Sequence, residues 1–185
     1  MTDIVIYNMS TTWRHNRIIA DIRAEIYHQY REKVRNQTIR LADEEIALVY
    51  EGNIEEEFLW LVEIETLQNP AHFAESTIDA LRWVQPDFFM FSQGNPCIQN
   101  KNGTRVAGRP NLIVEVWSES NPQLERERKF VLYSSSPVTE HWYIEQDNNV
   151  VECYCGKNKL YEQSLEKALK TREGISIDLT HLSLK

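Results

Sequence analysis

The chain has 185 residues, 42% apolar and 26% charged, with a net charge of -8. These are the proportions of a globular protein with one full-sized core, which excludes a disordered chain. The negative balance argues against a generic nucleic-acid binder, because phosphate backbones reward basic surfaces, and no apolar run is long enough to span a bilayer.

Ile4-Val5-Ile6-Tyr7 has the composition of a short strand. Ser10, Thr11 or Thr12 offers an N-cap, and Trp13, Ile18, Ile19, Ile22, Ile26 and Tyr30 recur at helical spacing, which predicts a helix over about 12–33. Thr38–Leu41 and Ile46–Tyr50 read as strands, with Glu51-Gly52-Asn53 as a turn. Phe58–Ile64 leans towards strand through its β-branched and aromatic content. Pro70 opens a short helix across Phe73–Leu81.

Trp83–Phe91 is predicted as one strand, and Asn95–Pro110 as a long polar connection. Leu112–Trp117 follows as a near-continuous apolar strand, the pattern of a central, buried position. Ser120-Asn121-Pro122 marks a helix start, with a capping side chain before proline at the first helical position, and the helix runs to about Ser134. His141–Ile144, the turn Asp147-Asn148-Asn149 and Val150–Tyr154 make a hairpin. Leu160–Leu165 and Ile175–Leu179 add short strands. No internal repeat interrupts the order, which is α+β with a mixed central sheet in one domain over 1–185.

Charge is unevenly placed. Residues 40–65 hold nine acids against Arg40 alone, so the rest of the chain sums to zero. The acidic stretch reads most simply as a solvated sheet edge whose charges discourage strand addition, and more ambitiously as a DNA-mimicking surface. Residues 92–110 hold Lys101, Arg105 and Arg109 with no acid, a candidate nucleic-acid-binding loop or simply a soluble one. Cys97, Cys153 and Cys155 form no CxxC pair. Reduced thiols in the cytoplasm are the expectation, and Met1-Thr2-Asp3 lacks the basic start of a signal peptide.

The two strands over 83–91 and 112–117 each carry one carboxylate, Asp87 and Glu115, amid apolar residues. Desolvating a carboxylate costs several kcal/mol. Two on neighbouring strands therefore call for a cation or a basic side chain between them, and replacing either should relieve repulsion. Alternation puts Glu115 and Trp117 on one face and Val114 and Val116 on the other. The following helix supplies Glu125 and Lys129.

Pro86-Asp87 and Glu115 resemble the PD-(D/E)XK nuclease motif. Its lysine comes two residues after the second acid, where this chain has Trp117, so Lys129 on the helix is the relocated substitute. Four segments in order carry a wider likeness: Val84-Gln85-Pro86-Asp87, Arg109-Pro110 through Ser118, Glu125-xxx-Lys129-xxx-Tyr133, and Val138–Ile144. Together they resemble the Uma-type family of restriction endonucleases, best over 83–155. His15 matches a histidine that often opens that family's N-terminal helix. The family's usual E-x-x-D-G-x hairpin has no counterpart here.

The resemblance implies a restriction-endonuclease-like mixed sheet flanked by helices and a Mg²⁺- or Mn²⁺-dependent DNA endonuclease, working as a homodimer. Asp87, Glu115 and the backbone carbonyl of Val116 would hold the metal. Lys129 would orient the nucleophile and stabilise the transition state as a compact point charge. His15 and Glu125 are accessory candidates.

Plainer readings stand beside these. Pro-Asp is common turn chemistry. A buried ion pair to an arginine would explain Glu115. Glu125 and Lys129 are an i, i+4 pair in the favourable order, worth about 0.2–0.5 kcal/mol as surface decoration. His15 on a helix is usually exposed or hydrogen-bonded, and Tyr133 and Trp142 read as core. The rival from another class is a catalytically inert nucleic-acid-binding or regulatory protein that retains the nuclease fold, favoured by Trp117 at the usual lysine position. An interaction module that binds no nucleic acid is the third option, suggested by residues 40–65.

Overall fold

The computed structural model describes residues 13–36, 39–42, 45–48, 83–92, 97–99 and 105–182. The expected strands at 4–7 and 58–64, the expected helix at 73–81 and most of the acidic stretch lie outside them.

The isoleucine spacing that predicts a helix produces α1 (Trp13–Gln29). Ile18, Ile22 and Ile26 recur every fourth residue on one face and are fully buried, each contributing roughly 1.5–3 kcal/mol of transfer free energy. At Tyr30 the expected long helix breaks into a separate short helix, α2 (Arg31–Arg35).

The main sheet has six strands. Named in chain order with those of the second sheet, the strands of the two are β1 (Arg40–Ala42), β2 (Glu45–Leu48), β3 (Trp83–Val84), β4 (Phe88–Phe91), β5 (Cys97–Gln99), β6 (Arg105–Gly108), β7 (Leu112–Trp117), β8 (Glu140–Glu145), β9 (Val150–Cys155) and β10 (Asn158–Ser164). The main sheet runs β1-β4-β7-β8-β9-β10. β7 pairs antiparallel with β4 and parallel with β8, and the crossover between β7 and β8 is helix α3 (Gln123–Ser134). The fold is therefore α+β with a mixed sheet. β7 is buried along its whole length, as its continuous apolar run predicts for a central strand.

Strand alternation sorts side chains into two cores. On one face Phe88, Met90, Leu112, Val114, Val116 and Trp142 pack against α1 and the C-terminal residues Leu165, Leu169, Ile175, Ile177 and Leu179. On the other, Phe89, Phe91, Ile113, Trp117 and Tyr143 pack with Tyr133 of α3 and with Ile46, Leu48 and Val84 of the second sheet.

Three expectations need correction. The single strand over 83–91 is two strands in different sheets: β3 joins the second sheet, β3-β2-β6-β5, and β4 joins the main one. The break falls at Gln85-Pro86-Asp87, because proline brings no N–H to a ladder. The polar connection over 95–110 contains β5 and β6, with β6 parallel to β2. Three- and four-residue strands of mixed composition have too little periodicity to be seen before their partners are known. Finally, Pro122 is the N-cap of α3, with no side-chain cap bond. Asn121 instead accepts the Ser118 N–H at 2.8 Å and so closes the preceding turn.

The hairpin over β8 and β9 forms as expected. The next turn needs Gly156, whose φ of +56° is left-handed and whose Cβ position would lie 3.3 Å from the Ser136 carbonyl oxygen.

Candidate active site

At the Pro86 break β4 ends and β7 continues. The ladder stops at the Phe88–Val114 pair, which leaves the Val116 N–H without a strand partner. Asp87 fills the gap: its Oδ2 accepts that N–H at 2.7 Å. The same oxygen lies 3.0 Å from Nε2 of His15, the third residue of α1. Burial lowers the His15 pKa, but the hydrogen bond and charge of Asp87 outweigh it and the net shift is upwards.

Glu115 projects from the opposite face of β7 to its Val114 and Val116 neighbours. Its Oε2 accepts a hydrogen bond from Lys129 Nζ at 2.8 Å, and its Oε1 accepts one from the Tyr133 hydroxyl at 2.5 Å. The side chains of Glu115 and Lys129 are each only 1% exposed. Burial pushes the Glu115 carboxyl up; Lys129 pulls it down, the Asp87 charge pushes it up again, and the result is about 7. Desolvation opposes the charge on Lys129, yet Glu115 holds its ammonium protonated, with its pKa raised.

α3 delivers these groups because Glu125, Lys129 and Tyr133 recur every fourth residue and share one helix face. Lys129 also lies 3.4 Å from the Gln85 carbonyl oxygen and 3.7 Å from Glu125 Oε1. The surface-decoration reading of Lys129 is thereby overturned: the residue is buried, and its shorter contact is to Glu115. Glu125 Oε1 is itself buried with no hydrogen-bond partner. Arg126 sets the helix by pairing with Glu145 at 2.5 Å and donating to the Ser118 carbonyl.

Trp117, at the position the nuclease motif gives to lysine, is a packing residue. It stacks on Tyr143 with ring centroids 4.3 Å apart, under the Arg126 guanidinium at 4.9 Å. The lysine that does lie beside Glu115, Lys129, comes from the helix.

The basic loop is split. Lys101 lies outside the described residues. Arg105 stands on β6 in register with Glu45, and Ile46 is in register with Val84, so the Arg105 backbone sits two strands, roughly 10 Å, from Gln85. Arg109 is half-buried beyond β6, where the chain turns into the start of β7, at the other end of the β4–β7 pair from Asp87.

The donor set suits a hard cation. Asp87 and Glu115 are oxygen donors whose charges interact. Among the described residues no three His, Cys, Asp or Glu side chains group closely enough to hold a metal by themselves, so the fit rests on these two carboxylates, the oxygen donors that a hard cation prefers.

A family model described as putative restriction endonuclease, Uma2, matches residues 3–180. The chain belongs to the Uma2 family. No curated protein matches it in sequence. Among solved structures it is similar to a putative nuclease belonging to DUF820 from Anabaena variabilis, at 14% identity and a TM-score of 0.59. The match covers 97% of this chain and 87% of that one. At that identity the likeness shows a shared fold. No helix among the described residues is long and apolar enough to cross a membrane.

From sequence Tyr133 reads as core; the structure adds its hydroxyl on Glu115. The spacing of Glu125, Lys129 and Tyr133 was the available signal, since it puts all three on the helix face that meets β7.

Proposed function

We propose that this Uma2-family chain is a divalent-metal-dependent endonuclease that hydrolyses phosphodiester bonds in DNA, with Asp87, Glu115 and Lys129 as its catalytic residues. The observation that carries the reading is the Lys129 ammonium 2.8 Å from Glu115, with Asp87 on the adjoining strand end. It supports the enzyme over the inert fold-retaining rival, because Trp117 does not deprive the acids of a lysine.

Asp87 and Glu115 would hold Mg²⁺ or Mn²⁺. The N–H and C=O of one strand residue point to the same side, and the Val116 N–H points to Asp87, which supports the Val116 carbonyl as a third donor. Such an ion supplies Lewis acidity towards a phosphodiester and acidifies bound water. His15 orients Asp87 through Nε2. Lys129 is a compact positive charge that would stabilise the negative charge growing on the scissile phosphate. Glu125, 3.7 Å away, helps to keep it protonated. Arg105 would meet the nucleic-acid backbone near this end of the sheet; Lys101 and Arg109 are further candidates for backbone contacts, Arg109 from the opposite end of the β4–β7 pair. A homodimer would present one such site to each DNA strand, and the free Cys153 and Cys155 suit a reducing cytoplasm.

The test is nicking of supercoiled plasmid with Mg²⁺ or Mn²⁺, with an Asp87→Ala protein purified in parallel. Metal-dependent nicking by the wild type and none by the variant is expected. Equal nicking by both would trace the activity to a contaminant and remove the proposal.

A further inference from the structure

We propose that Tyr133 is a positioning residue for the site: its hydroxyl fixes the Glu115 carboxylate in the orientation that receives a divalent cation. The proposal rests on the nuclease reading above and extends it to a residue that touches neither the phosphate nor the ion.

The geometry divides Glu115 evenly. Tyr133 donates to Oε1 and Lys129 to Oε2. An ionised carboxylate has about four acceptor positions on its two oxygens, so one donor on each leaves capacity on both. With both oxygens tethered, the carboxylate plane cannot rotate about its last bond. Lys129 alone would leave that rotation open.

Tyr133 is equipped for the task. It is fully buried, and its ring packs at 6.2 Å from that of His141. His141 is itself fixed: its Nε2 donates to the Gly156 carbonyl and its Nδ1 accepts from the Tyr143 hydroxyl, each at 2.9 Å. The phenol is thus wedged against an anchored neighbour and has little freedom to swing. A phenylalanine would fill the same apolar volume, so the hydroxyl is the part of the side chain that packing does not require. Groups that hydrogen-bond to metal ligands typically change metal affinity by about tenfold to a hundredfold when removed.

The experiment compares wild type with Tyr133→Phe by calorimetric Mn²⁺ titration, by plasmid cleavage across Mn²⁺ concentrations, and by thermal melting. We expect the variant to melt cooperatively and to bind Mn²⁺ about tenfold to a hundredfold more weakly. Its cleavage should recover towards the wild-type maximum only as Mn²⁺ is raised by the same factor. Wild-type Mn²⁺ affinity in the variant, whatever its melting temperature, would overturn the proposal. So would loss of the cooperative melt, since a hydroxyl needed to fold is structural. A wild type that bound no Mn²⁺ would instead remove the nuclease reading, and this proposal with it.

Discussion

Lys129 and Glu115 lie fourteen positions apart in the chain, on a helix and a central strand, yet form a 2.8 Å ion pair in which both side chains are buried. This reverses the expectation that removing a site carboxylate would relieve repulsion. Glu115→Ala should leave a buried ammonium with only Glu125 at 3.7 Å and a backbone carbonyl at 3.4 Å. A cost of about 3–5 kcal/mol follows. Glu115→Leu combined with Lys129→Met should cost less than the sum of the two single changes, because no charge is then orphaned. Urea denaturation of the four proteins measures this, and strict additivity would contradict it.

The second prediction concerns His141, which is fully buried among Phe130, Tyr133, Tyr143 and Tyr154. Burial pushes its pKa down to about 4, against about 6.5 in an unfolded chain. The folded state therefore keeps the ring neutral while the unfolded state takes up a proton. Its contribution to stability is complete above pH 6.5 and is lost as pH falls through 4, by about 3 kcal/mol in total. The stability difference between wild type and His141→Gln should shrink by about that amount between pH 7 and pH 4. A difference independent of pH would show that the ring takes up its proton equally in the folded and unfolded states.

A third prediction separates the arginines of the basic segment. Arg105 belongs to the second sheet, two strands from Gln85, whereas Arg109 lies at the opposite end of the β4–β7 pair. Arg105→Ala should weaken DNA binding more than Arg109→Ala, and should reduce the slope of log affinity against log salt by about 0.9. Equal slopes in wild type and Arg105→Ala would make the segment a soluble surface and nothing more.

The parts legible in the sequence were those set by local pattern. The apolar run of β7 announces a central strand, and its period of two assigns Glu115 and Val116 to opposite faces. The isoleucines of α1 announce a buried helix face. What stayed hidden depends on partners distant in the chain. The second sheet is built from strands of two to four residues, whose pairing is tertiary. The strand break at Pro86 was readable in principle from the missing N–H, but not the change of sheet. Whether Lys129 faced water or Glu115 could not be read from its i, i+4 spacing to Glu125, because the same spacing serves a solvated ion pair and a buried one. The Tyr133 hydroxyl was missed for the related reason that an aromatic on a buried helix face looks like packing.

The most direct test of the account is the single-turnover cleavage rate of supercoiled plasmid at saturating Mg²⁺, measured for wild type and Lys129→Met. Methionine keeps most of the lysine stem and lacks the ammonium, and a bound divalent cation would offset the charge of Glu115. The variant should bind metal and DNA and cleave about a hundredfold or more slowly. Lys129→Arg should recover little, since a planar fork does not replace a compact ammonium. Cleavage by Lys129→Met at the wild-type rate would contradict the relocated-lysine site.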